Sequence, residues 1–170
     1  MLRRAAREPE TLFIALDADA SAMADASRRA ARPTRRGGRA NIIFLVAAAE
    51  ALPGVLAGIA DEVTVILPWG SLLATAVDPT RPGFGALTAC LAAGGQLTML
   101  VSVTERDGLA GLCVLDEATA HELSSRYAKA GLAAFESRLA VRADVDLLSS
   151  GWGRKLGIPE RRSAWLFRLR

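Results

Sequence analysis

Six short apolar or alternating runs punctuate the chain. They are Thr11–Leu16 (TLFIAL), Asn41–Val46 (NIIFLV), Glu62–Leu67 (EVTVIL), Gln96–Val103 (QLTMLVSV), Phe135–Ala143 and Ala164–Leu169 (AWLFRL). Runs of this length suit buried or half-buried strands. Longer helical stretches lie between them: Ala20–Ala31, Ala51–Ile59, Phe84–Ala92 and Asp116–Ala130. Asp19 or Ser21 fits the N-cap of the first, and Asp116 caps the last. Pro33, Gly37–Gly38, Gly94–Gly95 and Gly131 act as breakers, and Ser149–Gly157 reads as a polar, glycine-rich loop. Strands alternating with helices predict a doubly wound α/β fold with a parallel sheet. No internal repeat divides the chain, so residues 1–170 read as a single domain.

In such folds ligands gather at the carboxyl ends of the parallel strands. The predicted strands lead there into Asp17, Glu50, Trp69 and Ser102. Asp17 fits two roles: accepting the ribose hydroxyls of a nucleoside cofactor, or starting the helix that follows. Glu50 is placed to accept from an adenine amino group, or to sit as a solvated acid in a first helical turn. Pro68–Trp69–Gly70–Ser71 puts an indole at a strand end, behind a stiffening proline. A flat ring there suits stacking of a base taken out of its helix. A second tryptophan, Trp152, lies between glycines in SSGWGRKLG, where a mobile loop is expected. Basic residues follow it at Arg154, Lys155, Arg161 and Arg162, the interleaving that a stacked base and its phosphates require. Trp165, inside an apolar run, is expected in the core.

Charge sharpens this picture. The chain has 170 residues, about half apolar, with a net charge of +3 and a pI near 9.4. The distribution matters more than the total. Arg28, Arg29, Arg32, Arg35, Arg36 and Arg39 fall within twelve residues with no acid among them, which favours phosphate contact over a solvated face of mixed sign. Cys90 and Cys113 form no ligand spacing and suit reduced core thiols. His121 is the single histidine, so no metal site or Ser-His-Asp arrangement is expected, and no phosphate-binding GxxxxGK[ST] loop occurs. The longest apolar run, Ile42–Ala49, is too short to span a bilayer. No signal peptide is read at MLRRAAREPE, and a cytoplasmic protein is expected.

Four segments together resemble the 16S rRNA (adenine(1408)-N(1))-methyltransferases, an aminoglycoside-resistance family. LFIALDADASAMADASRRAAR is similar to the family's second strand and following helix, and AAAEALP to its adenine-side cofactor segment. LPWGSLL is similar to its post-strand tryptophan motif, and SSGWGRKLG to its late tryptophan loop. The resemblance implies a class I, Rossmann-like fold that uses S-adenosyl-L-methionine. It implies cofactor contacts from Asp17, Ala49, Glu50 and Pro68, and a target adenine held between Trp69 and Trp152 with help from Ser150 or Ser149. Arg28, Arg29, Arg32, Arg35, Arg36, Arg154, Lys155, Arg161 and Arg162 would grip 16S rRNA in the 30S subunit, with the protein acting as a monomer and without a metal. The chain departs from the family at its start. No DxGxGxG-like loop occurs, and MLRRAAREPE corresponds to the helix after it. The sheet is therefore expected to lack its first strand, through a start site placed too late or a truncated copy. Weak cofactor binding is the expected consequence, and a catalytically inactive RNA-binding remnant is the alternative reading.

Overall fold

The computed structural model describes residues 1–108, 114–148 and 151–170, which fall into two compact units, Met1–Ala51 and Leu52–Arg170. The first unit starts with helix α1 (Leu2–Arg7), followed by strand β1 (Phe13–Asp17), helix α2 (Ala20–Ala30) and strand β2 (Ile42–Val46). β1 and β2 pair in parallel, with Asp17 opposite Val46. Alternation sends Phe13, Ala15, Ile42 and Phe44 to one face, where they pack with Ala5 of α1 and Ala30 of α2. Asn41 ties the unit together. Its side-chain amide nitrogen donates to the carbonyls of Ala5, Glu8 and Thr11 at 3.1, 3.0 and 2.9 Å, anchoring the end of α1 and the turn before β1 to the start of β2.

The second unit holds β3 (Ala60–Ile66), α3 (Gly70–Val77), α4 (Pro82–Ala89), β4 (Leu91–Val101), α5 (Glu117–Lys129), β5 (Ala134–Leu139), α6 (Arg142–Leu147), α7 (Gly151–Leu156) and β6 (Trp165–Leu169). Its sheet runs β3-β4-β6-β5, with β3 parallel to β4 and β6 antiparallel to both neighbours. Each sheet face carries its own cluster. Trp165, Phe167, Tyr127 and Phe84 form a chain of ring contacts on one face, stacked at Trp165–Phe167 and Phe84–Tyr127 and edge-on at Tyr127–Phe167, joining β6 to α5 and α4, and the Tyr127 hydroxyl donates to the Ala76 carbonyl of α3. On the other face Leu100 and Leu166 pack with Leu67, Val145, Leu148 and Ile158. Helices thus cover both faces, as a doubly wound α/β fold requires.

Several elements differ from the sequence reading. Ala51–Ile59 forms no α-helix but two single 3-10 turns, Ala49–Ala51 and Gly54–Leu56, because Pro53 and Gly54 break the stretch. The helix expected over Phe84–Ala92 ends at Ala89, and β4 begins at Leu91 and runs through Gly94–Gly95. Gly95 is required there, since a Cβ would lie 2.8 Å from the Ala60 carbonyl of β3. β5 stops at Leu139 and α6 begins at Arg142, where Asp144 in its first turn caps the helix by accepting from the Val141 amide at 2.7 Å. Trp152 stands not on a loop but in α7. Asp116 caps α5 and Trp165 is buried, both as expected. Cys90 is buried and free, while Cys113 lies outside the described residues. No helix among the described residues is long and apolar enough to cross a membrane.

Candidate active site

In the first unit, parallel pairing brings the carboxyl ends of β1 and β2 side by side, and the Ala47 amide donates to the Asp17 carbonyl at 3.0 Å. The two readings of Asp17 now separate. Asp19 is the helix cap: its carboxylate accepts from the Ser21 amide at 2.8 Å and hydroxyl at 2.7 Å, contacts that hold its pKa below the usual carboxylate range. Asp17 accepts from the Asp19 amide at 2.9 Å with one oxygen. Among the described residues its other oxygen has no hydrogen-bond partner, and the residue is exposed. Ala49 is half-buried and Glu50 exposed in the turn after β2, and Glu50 has no hydrogen bond or ion pair among the described residues. One edge therefore offers two carboxylates with free acceptor oxygens. That donor set fits the ribose hydroxyls and exocyclic amine of an adenosine moiety.

The arginine run follows on α2 and its exit loop. Arg28, Arg29, Arg32, Arg35 and Arg36 are all exposed. Asp25, one turn earlier, lies 3.8 Å from Arg28 and 3.9 Å from Arg29, an acid that the sequence count beginning at Arg28 left out. The side chains of Arg32, Arg35 and Arg36 have no ion pair or hydrogen bond among the described residues.

In the second unit, Ile66 lies opposite Leu100, Val101 opposite Trp165, and Trp165 opposite Leu139. The ends of the mutually parallel strands β3, β4 and β5 therefore form one row, and the segments after them leave from one edge. After β3, Leu67 takes a left-handed backbone conformation, φ 49°, that turns the chain sharply. Its side chain is buried and its amide bonds the Leu100 carbonyl at 2.7 Å, so sheet and core hold the turn. Pro68 is buried and Trp69 follows it out, 80% exposed, at the N-cap position of α3.

After β5, Leu148, Leu156 and Ile158 enter the same apolar cluster as Leu67. Trp152 lies on the helix between these anchors, 55% exposed. Both indoles are thus displayed from segments rooted in one cluster at one sheet edge. Ser149 and Ser150 lie outside the described residues.

The basic residues after Trp152 differ from one another. Lys155 and Arg161 are exposed, and Arg154 lies 3.7 Å from Asp146. Arg162 is half-buried: its Nε donates to the Ser102 hydroxyl at 2.7 Å, and Nη2 lies 3.2 Å from the Ser102 carbonyl and 3.4 Å from Asp107. Ser102 in turn donates to the Ser163 carbonyl. Arg162 thereby pins the segment before β6 to the end of β4. Sequence reasoning singled out Ser102 as a strand end but could not pair it with a residue 60 positions away. His121 is exposed, and no cluster of metal ligands occurs among the described residues.

The sequence profile of NpmA, 16S rRNA (adenine(1408)-N(1))-methyltransferase, matches residues 1–169. The chain is 31% identical over 157 residues to the 16S rRNA (adenine(1408)-N(1))-methyltransferase of Streptoalloteichus tenebrarius, covering 89% of this chain and 72% of that one. It is 35% identical over 77 residues to the enzyme of that name from Escherichia coli, covering 45% of this chain and 35% of the relative. Among solved structures, a variant of the 16S rRNA (adenine(1408)-N(1))-methyltransferase from Catenulisporales acidiphilia with cosubstrate SAM superimposes with a TM-score of 0.84 at 29% identity, covering 99% of this chain and 78% of that one. The fold is accordingly the Rossmann-like methyltransferase fold, and the chain belongs to the 16S rRNA (adenine(1408)-N(1))-methyltransferase family.

Proposed function

We propose that this protein transfers a methyl group from S-adenosyl-L-methionine to N1 of an adenine in 16S rRNA, acting on the 30S subunit. The observation that carries the reading is the pair of exposed indoles, Trp69 and Trp152, on segments anchored in one apolar cluster at the ligand edge of the sheet. Exposing two tryptophans costs a soluble domain apolar surface that it would otherwise bury, and stacking a base on each recovers that surface. The free oxygens of Asp17 and Glu50 support binding of the nucleoside part of the cofactor, with Ala49 of the same unit as a further contact. Exposed Arg28, Arg29, Arg32, Arg35, Arg36, Arg154, Lys155 and Arg161 supply cationic surface for phosphates, and Arg162 shapes the segment that follows Trp152.

The chemistry needs little from titrating groups. Adenine N1 carries a free lone pair at neutral pH, so no general base has to prepare it. Bound S-adenosyl-L-methionine supplies an electrophilic sulfonium methyl group. The task of the chain is orientation: clamping the base between two flat faces removes its freedom before transfer. Transfer to N1 leaves the base positively charged, and two indole faces stabilise a cation better than a neutral ring.

The test is incubation of the chain with 30S subunits and methyl-labelled S-adenosyl-L-methionine, followed by primer extension on the 16S rRNA. Label in the rRNA with arrest at one adenine is expected. Tight 30S binding without incorporated label would leave the RNA-binding remnant instead.

A further inference from the structure

The loop that carries Arg32, Arg35 and Arg36 is closed on itself. The Arg39 amide returns to the Ala30 carbonyl at 2.9 Å, at the end of α2. Inside this closure the Arg36 amide bonds the Pro33 carbonyl at 2.7 Å, and the Gly37 amide bonds the Thr34 carbonyl at 3.0 Å. Two glycines make the closure possible in different ways. Gly37 ends the 3-10 turn with φ 84°, a left-handed conformation that side chains resist. Gly38 is buried against the chain it closes on: a Cβ there would lie 1.6 Å from the Arg32 carbonyl oxygen. No side chain fits that gap without forcing the loop open.

We infer that Gly37 and Gly38 are positioning residues of a preformed phosphate-binding surface, and that its partner is folded RNA presenting closely spaced backbone phosphates. This deepens the rRNA reading above and rests on it. The three arginines displayed by the loop are exposed and unpaired among the described residues, whereas Arg28 and Arg29 share Asp25. Several cations on a rigid ten-residue loop can meet several phosphates at once without first paying the cost of ordering the chain. A flexible loop of the same charge would meet them one at a time.

The distinguishing readout is the salt dependence of binding. Each phosphate neutralised contributes roughly 0.7–0.9 to the slope of log affinity against log salt. Binding of the full chain to 30S subunits should be measured across a KCl series. Gly38→Ala, which keeps every charge, should lower the slope by about 1.5 or more and the low-salt affinity by about tenfold, matching or exceeding an Arg35→Gln/Arg36→Gln variant. A merely structural role would change the melting temperature and leave the slope of the folded protein untouched.

A second pair keeps the test open if Gly38→Ala does not fold. A Cβ at Gly37 meets nothing within 4 Å, so substitution there strains only the backbone. Gly37→Asn, which tolerates a left-handed conformation, should retain the parental slope, and Gly37→Val should lose it. Folded Gly38→Ala or Gly37→Val protein with the parental slope would overturn the proposal while leaving the rRNA reading intact. A parental chain without salt-dependent affinity for 30S subunits would overturn the rRNA reading itself.

Discussion

Replacing Trp69 and Trp152 by alanine separates a base-clamping role from a packing role, because exposure sets the two costs apart. Trp69 is 80% exposed, so about a fifth of a ~250 Å² side chain is buried, ~50 Å², worth roughly 1 kcal/mol at 25 cal/mol/Å². Trp152 is 55% exposed, which leaves ~110 Å² buried and roughly 2.5 kcal/mol at stake, less a few tenths returned by alanine's better helix propensity in α7. Trp152→Ala should therefore destabilise more than Trp69→Ala. Sequence position alone argues for the opposite order, with Trp152 on a loop. Loss of one stacked face costs ~1–3 kcal/mol of base binding, about 5- to 150-fold in kcat/KM for each variant. Phenylalanine at either site should restore part of this loss, since it keeps an aromatic face. Trp165→Phe is the control: it removes the buried indole donor to the Leu115 carbonyl at 2.9 Å and should lower Tm without selectively lowering methylation. Methyl incorporation into 30S subunits, affinity for them and thermal melts should be recorded together. Folded Trp69→Ala and Trp152→Ala proteins that methylate within twofold of the parent would refute the clamp.

Three further outcomes follow from the contacts. Asp17→Asn keeps an oxygen to accept from the Asp19 amide but replaces the free oxygen by a donor, so Tm should hold while cofactor affinity falls about tenfold by calorimetry; unchanged affinity would assign Asp17 to the turn alone. Asn41→Ala removes the side-chain donor of three carbonyls, of which Glu8 keeps the Thr11 amide at 3.2 Å, and should cost about 2 kcal/mol in denaturant unfolding of the first unit, with a loss under 0.5 kcal/mol counting against its tying role. Asp144 is paired with Arg138 at 2.7 and 2.9 Å, which, chiefly through those hydrogen bonds, holds its carboxyl below the usual range. A lowered folded-state pKa gives stability that is full above the unfolded value near 3.9 and lost as pH falls through the folded one. Asp144→Asn should therefore cost about 2 kcal/mol at pH 7, discounted for the part-exposed Arg138, and the gap to the parent should close below about pH 4. A gap that is constant with pH would remove the ion pair as its cause.

The sequence by itself determined the alternation of strands and helices, the buried Trp165, the cap at Asp116 and the residue types at the strand ends. These are local properties: apolar runs, cap chemistry and breaker residues act within a few positions. It also marked both rim tryptophans and the arginine run, because unusual composition needs no partner to be seen. Short elements were decided by tertiary structure. α7 contains Gly151 and Gly153, which disfavour helix, yet its flanks at Leu148 and Ile158 are buried in the cluster beside Leu67, and Leu156 at its end packs against it. Burial of the anchors outweighs the weak propensity between them, so a segment that reads as a loop is a helix. α3 (GSLLATAV) was too short and too uniformly apolar to show a period. Only the folded chain could give the turn at Leu67, held by its amide bond across the sheet to Leu100, the pinning of Arg162 by Ser102 and Asp107, and the closure of the arginine loop on Ala30. Each joins residues that no local pattern links, and in each the deciding energy is that of a buried polar group or side chain finding its partner.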